Sequence, residues 1–175
     1  YCPDPLPPVE TDLFNTVAEA VRMVQEIGNP ALKTMIDCSA AGQAEQEPVH
    51  ELMARWMPTG HIAHVQVNDP NRRGPGQGAM DFAPVLRTLR EMQRQGHYGD
   101  TIAVGPFDYV PDGPGCAARA IGYLSRGVQA RDQPSPAGLP LMLTGSEQME
   151  VRILKRRGPP LLQPLVLPAQ PARLR

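Results

Sequence analysis

The chain has 175 residues, and its 17 basic and 18 acidic residues give a formal charge of −1 at pH 7. This length predicts one domain with a real core, although a complete eight-unit barrel needs about 250 residues. No apolar run approaches the roughly 20 residues of a membrane span, and the start lacks a signal-peptide pattern. The three cysteines form no paired spacing. We therefore expect a cytoplasmic protein rather than a disulfide-stabilised secreted one.

Four short apolar runs, each followed by a longer amphipathic segment, predict four βα units around a parallel sheet. The first unit has an extended segment over 1–6. Its helix is expected to be capped by Thr11 or Asp12 and to end at Gly28. The apolar stripe of this helix is Leu13, Val17, Val21, Val24 and Ile27.

The other three units follow the same pattern. Pro48 suits the first turn of the second helix, which carries apolar residues inward, and Gly96 ends the third. The predicted pairs are a strand at 33–37 with a helix bearing Val49, Leu52, Met53 and Trp56, a strand at 62–67 with a helix over 82–95, and a strand at 101–105 with a helix near 115–125.

Polar side chains follow the end of every predicted strand. The carboxyl ends of parallel strands meet at one edge, where α/β proteins build their sites. We therefore expect these residues to converge: Asp4 and Glu10, Asp37, Gln66 with the 68–73 loop, and the 106–112 loop.

The sequence changes character after Val128, and residues 129–175 are rich in Pro, Leu and Arg without a helix or strand period. Such composition is typical of disorder. Only 139–143 and 150–154 suggest short ordered pieces. The basic cluster at 155–157 has no interleaved aromatic residues and indicates a solvated tail rather than a nucleic-acid site.

Three stretches carry a resemblance to a known group. They are DPL at 4–6 with ETDLFNT at 10–16, HVQVNDPNRRGPGQG at 64–78, and GPFDYVPDG at 105–113. In order and spacing they resemble the fifth, seventh and eighth strand segments of ketose 3-epimerases and hydroxypyruvate-isomerase-like proteins. The resemblance implies that residues 1–128 are the C-terminal half, four βα units, of a xylose-isomerase-like (β/α)8 TIM barrel, followed by an irregular tail.

The resemblance also implies a mechanism. In this group two glutamates, an aspartate and a histidine hold Mn²⁺, Co²⁺ or Mg²⁺ at the barrel mouth. The metal binds the carbonyl and hydroxyl oxygens of a small sugar and stabilises a cis-enediolate. The two glutamates, on opposite faces of the reacting carbon, remove and return the proton.

Position by position, the implied metal site is altered. Asp4 takes the place of the first glutamate, as ligand and catalytic base, with a shorter side chain. Asp37 keeps the aspartate position, Gln66 replaces the histidine, and Gly105 stands where the second glutamate would be. An amide oxygen is a weaker ligand than imidazole for these metals, and glycine supplies no base.

The outer positions leave several alternatives open. Glu10 and Arg72 keep the places of the substrate-binding glutamate and arginine, whereas Ala40 replaces a histidine. His64 shares a strand face with Gln66, so it is either a substitute ligand or a hydrogen-bonded barrel histidine. Asp37 is either a ligand or the cap of the loop that follows it.

Two functions compete on these residues. The first is a metal-dependent sugar isomerase or epimerase with weak or lost activity and a degenerate site. The second is a non-catalytic binding or assembly module on the same scaffold. Four units make half a barrel, so we expect a fragment, a homodimer or a partner that supplies the missing half. The related DNA-cutting endonuclease branch needs more His and Glu ligands than this mouth offers.

Overall fold

The computed structural model describes residues 1–99, 101–129, 141–144 and 150–153, with the backbone alone for 127–129 and for the last two segments. The elements in chain order are α1 (Val17–Ile27), β1 (Thr34–Asp37), α2 (Cys38–Ala44), α3 (Val49–Trp56), a 3-10 turn (Met57–Thr59), β2 (Ile62–Gln66), α4 (Phe82–Arg94), β3 (Ile102–Ala103), α5 (Gly113–Gln129), β4 (Leu141–Thr144) and β5 (Glu150–Ile153).

The strands β1, β2 and β3 form a parallel sheet in that order. In its register Asp37 lies opposite Gln66, which lies opposite Ala103. Parallel neighbours need crossover helices, which are α2 and α3 in one connection and α4 in the other. The three strands therefore end at the same edge, as expected for successive βα units.

The opening segment over 1–6, expected as the strand part of the first unit, forms no regular strand. The segment runs beside the start of β1: the Lys33 amide donates to the Tyr1 carbonyl (3.0 Å), and Thr34 Oγ1 donates to the Pro3 carbonyl (2.8 Å). Pro3 and Pro5 have no amide hydrogen, so a continuous ladder cannot form there. The segment nevertheless takes the place next to β1.

The first helix begins later than predicted. Its cap is Thr16, whose side chain accepts from the Glu19 amide while the Glu19 carboxylate accepts from the Thr16 amide, a capping box. Leu13 lies outside the helix and is 78% exposed, and Ile27 is 57% exposed. The predicted stop is confirmed, because Gly28 has φ of +66°.

Helix α2 was not predicted. It begins directly after Asp37, and its buried residues are consecutive, Cys38 to Ala41, rather than spaced at a helical period. Because consecutive residues of α2 are buried, its sequence lacks the apolar stripe of an amphipathic helix. The predicted α3 is confirmed, with Trp56 partly buried against the core.

The core lies between the sheet and the helices. Burial of a large apolar side chain contributes roughly 1.5–3 kcal/mol. Phe82 on α4 meets Tyr123 on α5 edge to face, with ring centroids 6.2 Å apart, a favourable aromatic geometry. The fully buried large side chains are Phe82, Ile36, Leu52, Met53, Met57, Leu124, Val17, Val21, Val65, Val67 and Val104.

Beyond α5, β4 and β5 form an antiparallel pair. They overlap the two short pieces predicted at 139–143 and 150–154. The predicted disorder of the remainder of 129–175 lies outside the described residues. Within the part of the chain that the structure describes, no helix is long and apolar enough to cross a membrane.

Candidate functional site

The ends of the three strands place Asp37, Gln66 and Gly105 beside one another. Asp37 and Gln66 are register partners on β1 and β2. A Cβ atom built on Gly105 would lie 3.7 Å from Gln66 Nε2. The predicted convergence of these positions at one edge of the sheet is confirmed, and position 105 has no side chain there.

Asp4 joins this group from the extended N-terminal segment. Its Oδ1 atom is buried and has no hydrogen-bond partner. Burial, followed by the negative charges of Asp37 and Glu10, raises the pKa of Asp4 to about 8. Asp4 is therefore mainly a neutral carboxylic acid at pH 7, close to the carboxyl groups of Asp37 and Glu10.

The Asp37 carboxylate is bound on both oxygens. Oδ1 accepts from the amides of Ser39 (2.6 Å) and Ala40 (3.3 Å) at the start of α2, and Oδ2 accepts from Asn68 Nδ2 (3.2 Å). Burial raises the pKa of Asp37 to about 6, although the amide hydrogen bonds oppose this. Asp37 is thus a helix cap, one of the two roles that the sequence left open. Its role as a ligand stays a prediction.

Asn68 is a site residue that the sequence analysis did not single out. It is completely buried. Its Nδ2 also donates to the Gly105 carbonyl (3.1 Å), and its Oδ1 accepts from the Gly105 amide (2.8 Å). Because this side chain takes both backbone groups of Gly105, the regular pairing of β3 stops at Ala103, two residues earlier than predicted.

The two predicted substrate-binding residues meet at the rim of the site. Arg72 Nη1 lies 2.6 Å from Glu10 Oε1, and both side chains are partly exposed. The Arg72 guanidinium also stacks on the Phe107 ring, 4.3 Å from its centroid. Arg72 has φ of +70°, unusual for a residue with a side chain. The fold therefore holds a charged pair beside an exposed aromatic ring.

The loops after β2 and β3 are joined into one unit. The Arg72 carbonyl accepts from the amides of Phe107 (3.0 Å) and Asp108 (3.1 Å). Arg73 Nε donates to Asp108 Oδ2 (3.1 Å), and Gln77 Nε2 donates to the Val110 carbonyl (2.6 Å). Asp108 thus binds the Arg73 side chain and links the two loops.

Position 78 requires glycine because the Asp69 side chain occupies the space that a Cβ atom would need. A Cβ atom at this position would overlap the buried carboxylate of Asp69, whose Oδ2 accepts from the Met80 amide. We expect Gly78→Ala to lower the free energy of unfolding by about 1–3 kcal/mol, the usual cost of forcing atoms into a packed site. Urea unfolding measures this loss.

The matched control for this prediction is Gly122→Ala. Gly122 lies within α5, and its added Cβ would meet nothing within 4 Å. Alanine there should leave the stability unchanged or raise it by up to about 1 kcal/mol. Equal losses for the two variants would contradict the argument from Asp69.

The ligand set implied by the resemblance is only partly present. Among the described residues, no group of three or more His, Cys, Asp and Glu side chains is placed to hold a metal ion. Asp4 does offer an unpartnered buried carboxylate oxygen, and its charge interacts with that of Asp37, the register partner of Gln66. Two carboxylates and an amide are hard oxygen donors of the type that Mg²⁺ accepts together with water. In donor chemistry, these residues suit a reduced oxygen site.

The resemblance placed a histidine at position 40, where this chain has alanine, and His64 was considered as a substitute ligand. Ala40 is buried in α2 and contributes only its backbone amide to Asp37. His64 lies opposite Met35 on the neighbouring strand and is partly buried. The two roles considered for His64, substitute ligand and barrel histidine, both stay predictions.

A family model described as a xylose isomerase-like TIM barrel matches residues 2–101, more than half of the chain. The chain belongs to this family. The predicted family and the predicted α/β barrel fold are confirmed, with the first strand replaced by the extended 1–6 segment.

Curated relatives of this TIM barrel protein include two D-psicose 3-epimerases. The one from Agrobacterium fabrum is 26% identical over 106 residues, which are 61% of this chain and 34% of that protein. The one from Enterocloster bolteae is 27% identical over 84 residues, 48% of this chain and 27% of that protein. The chain therefore spans about a third or less of the length of these relatives.

Solved structures agree on the fold. An L-ribulose 3-epimerase superposes with a TM-score of 0.62 at 17% identity, covering 76% of this chain and 52% of that one. A D-psicose 3-epimerase crystallised in the presence of D-fructose gives a TM-score of 0.52 at 25% identity, covering 72% and 41%. This TIM barrel chain thus corresponds to about half of a solved epimerase.

Proposed function

We propose that this protein binds a small ketose or related hydroxy-carbonyl sugar at the site around Asp4 and Asp37, and that its own epimerase activity is weak or lost. The two curated relatives described above are D-psicose 3-epimerases. We also propose a cytoplasmic location, since all three cysteines are free.

The absence of a side chain at Gly105 is the observation that carries this proposal. Epimerisation needs one base to remove a proton and a second group to return it on the opposite face. In the proposed arrangement Asp4 is the carboxyl group on one face of the sugar, whereas Gly105 has no side chain to act on the other face.

The other side chains have roles in binding. The Glu10 and Arg72 side chains would receive sugar hydroxyl groups, because both are partly exposed and present charged hydrogen-bonding groups. A divalent ion, Mg²⁺, Mn²⁺ or Co²⁺, held by Asp4, Asp37 and Gln66, would polarise the carbonyl oxygen of the sugar.

Calorimetric titration with D-psicose and with D-fructose, with and without Mn²⁺, tests the binding part of this proposal. We expect saturable binding of at least one of the two ketoses. If neither ketose binds under either condition, the sugar-binding proposal is wrong.

Arg72 provides a more specific prediction. We expect Arg72→Ala to weaken ketose binding about 10-fold, because a hydrogen bond to a charged group contributes roughly 1.5–3 kcal/mol. The matched control is Arg94→Ala, since Arg94 is exposed on α4 and pairs with Glu91 within that helix. Equal affinities for the Arg72 variant and the wild type would show that Arg72 does not contact the sugar.

A second candidate function is an assembly module in which a second copy or a partner completes the barrel. Large apolar side chains at the start of the chain favour it: Val9 is 85% exposed and Leu13 is 78% exposed. Both side chains would be available to a partner at this end of the chain. The relatives reported above are also about two to four times longer than their matched regions.

Light scattering coupled to size exclusion separates this second function from the first. The assembly proposal expects a defined dimer or complex that forms without sugar or metal and is lost in Leu13→Glu. A monodisperse monomer at all concentrations would rule out self-assembly.

A further inference from the structure

The end of β3 is joined to the end of β1 by one buried side chain. We propose that Asn68 is a positioning residue, which sets the orientation of the Asp37 carboxylate and of the peptide at position 105. The consequence for sugar binding rests on the proposed function. The orientation itself does not, and it can be measured separately.

The hydrogen bonds determine how the Asn68 amide is placed. The Gly105 amide is a donor, so the atom it meets at 2.8 Å must be the acceptor Oδ1. The two Nδ2 hydrogens are then directed to the Gly105 carbonyl (3.1 Å) and to Asp37 Oδ2 (3.2 Å). Both hydrogens of the amide are used, and the residue is completely buried.

Few other side chains meet these requirements. Aspartate has nearly the same shape but no hydrogens to donate, and it would bring a second carboxylate against Asp37 Oδ2. Alanine would leave buried groups of Asp37 and Gly105 without partners. Because residue 68 is shielded from solvent, water does not readily replace the lost amide.

Asn68 completes the restraint on Asp37. The amides of Ser39 and Ala40 hold Oδ1, and Asn68 holds Oδ2. The carboxylate cannot rotate without breaking bonds on one of its two sides. At the other end, Asn68 fixes the peptide of Gly105, and a Cβ atom added at this position would lie against Gln66. One side chain therefore sets two of the positions that define the site.

Hydrogen exchange of the full-length protein, followed by NMR, tests the inference. In Asn68→Ala the Gly105 amide should exchange at least about 10-fold faster, the Asp37 carboxyl carbon should shift, and the ketose dissociation constant should rise at least about 5-fold. The Val67 amide, which donates to the Ala103 carbonyl, should keep its wild-type exchange rate. If the alanine variant fails to fold, Asn68→Asp replaces it: aspartate still accepts from the Gly105 amide but donates to neither Asp37 nor the Gly105 carbonyl, so the Asp37 carboxyl carbon should shift and the ketose dissociation constant should rise while the Gly105 amide changes less.

Asn71→Ala is the matched control. Its Nδ2 donates to the Gln77 carbonyl in the same loop, away from Asp37. It should leave the exchange of Gly105 and the Asp37 signal unchanged.

Three results would overturn the inference. The first is an unchanged Gly105 amide and Asp37 signal. The second is faster exchange throughout the sheet, including Val67, which would indicate a merely structural role. The third is unchanged ketose affinity despite the local changes. If the wild type binds no ketose, the proposed function fails, and Gly105 exchange with the Asp37 signal decides the positioning role alone.

Discussion

Gly105→Glu is expected to raise ketose epimerisation by about 100-fold or more over the wild type, the usual contribution of a positioned acid or base. The first atom of the new side chain fits, because the atoms nearest to an added Cβ belong to the Gln66 side chain at 3.7–3.8 Å, an ordinary contact distance. Gly105 is also absent from the residues with positive φ, so glutamate fits its backbone. The new carboxylate would supply the second proton-transfer group.

Gly105→Gln is the control for this gain. It has nearly the same size but no carboxylate, so it should remain at the wild-type rate. Adding Gln66→His to Gly105→Glu should increase the rate further, because imidazole is the better metal ligand. The epimer ratio is measured by NMR or chromatography in the presence of Mn²⁺. A Gly105→Glu protein that binds ketose with wild-type affinity but gains no activity would contradict the assigned role of position 105.

The second large effect concerns Asp4. Its pKa of about 8 lies above the value near 3.8 of an unfolded chain. The folded protein therefore holds the Asp4 proton more tightly, so this group's contribution to stability is complete below about pH 4 and is lost as the pH rises through 8. In EDTA, the stability of the wild type relative to Asp4→Asn should fall by up to about 4 kcal/mol between pH 5 and pH 8.

Urea unfolding of both proteins at several pH values measures this difference, since asparagine has nearly the same shape and does not ionise. At pH 8, Mn²⁺ should stabilise the wild type, by about 2.7 kcal/mol at one hundred times its dissociation constant, and should leave Asp4→Asn unchanged. Parallel pH profiles for the two proteins in EDTA would show that Asp4 is not buried beside other carboxyl groups.

Most of the fold could be predicted because its elements are periodic. The sequence of α4 has an apolar stripe, and Gly96 follows the end of the helix. The sequence of β2 is a short run that includes the β-branched residues Ile62 and Val65, and a loop rich in Gly and Pro follows it. Helix α2 escaped prediction because its burial is not periodic. The cap at Thr16 was missed although Thr16 and Glu19 form the spacing of a capping box, a signal present in the sequence.

The site was predictable in position and less so in detail. Strand ends placed Asp37, Gln66 and Gly105 together, as expected from the parallel sheet. The bonds of Asn68 depend on the distance between two strands that are far apart in sequence, and no local pattern reports that distance. The raised pKa of Asp4 likewise depends on how an irregular, proline-rich segment packs.

The decisive experiment is incubation of the wild-type protein with a ketose in D2O and Mn²⁺, followed by NMR at the carbon beside the carbonyl. We expect the ketose to bind without forming the other epimer, and any deuterium taken up should remain on the starting epimer, since one base serves one face. Formation of the other epimer by the wild type, at a rate that Gly105→Glu does not raise, would show that a second proton-transfer group is already present in the wild-type site and that the proposal is wrong.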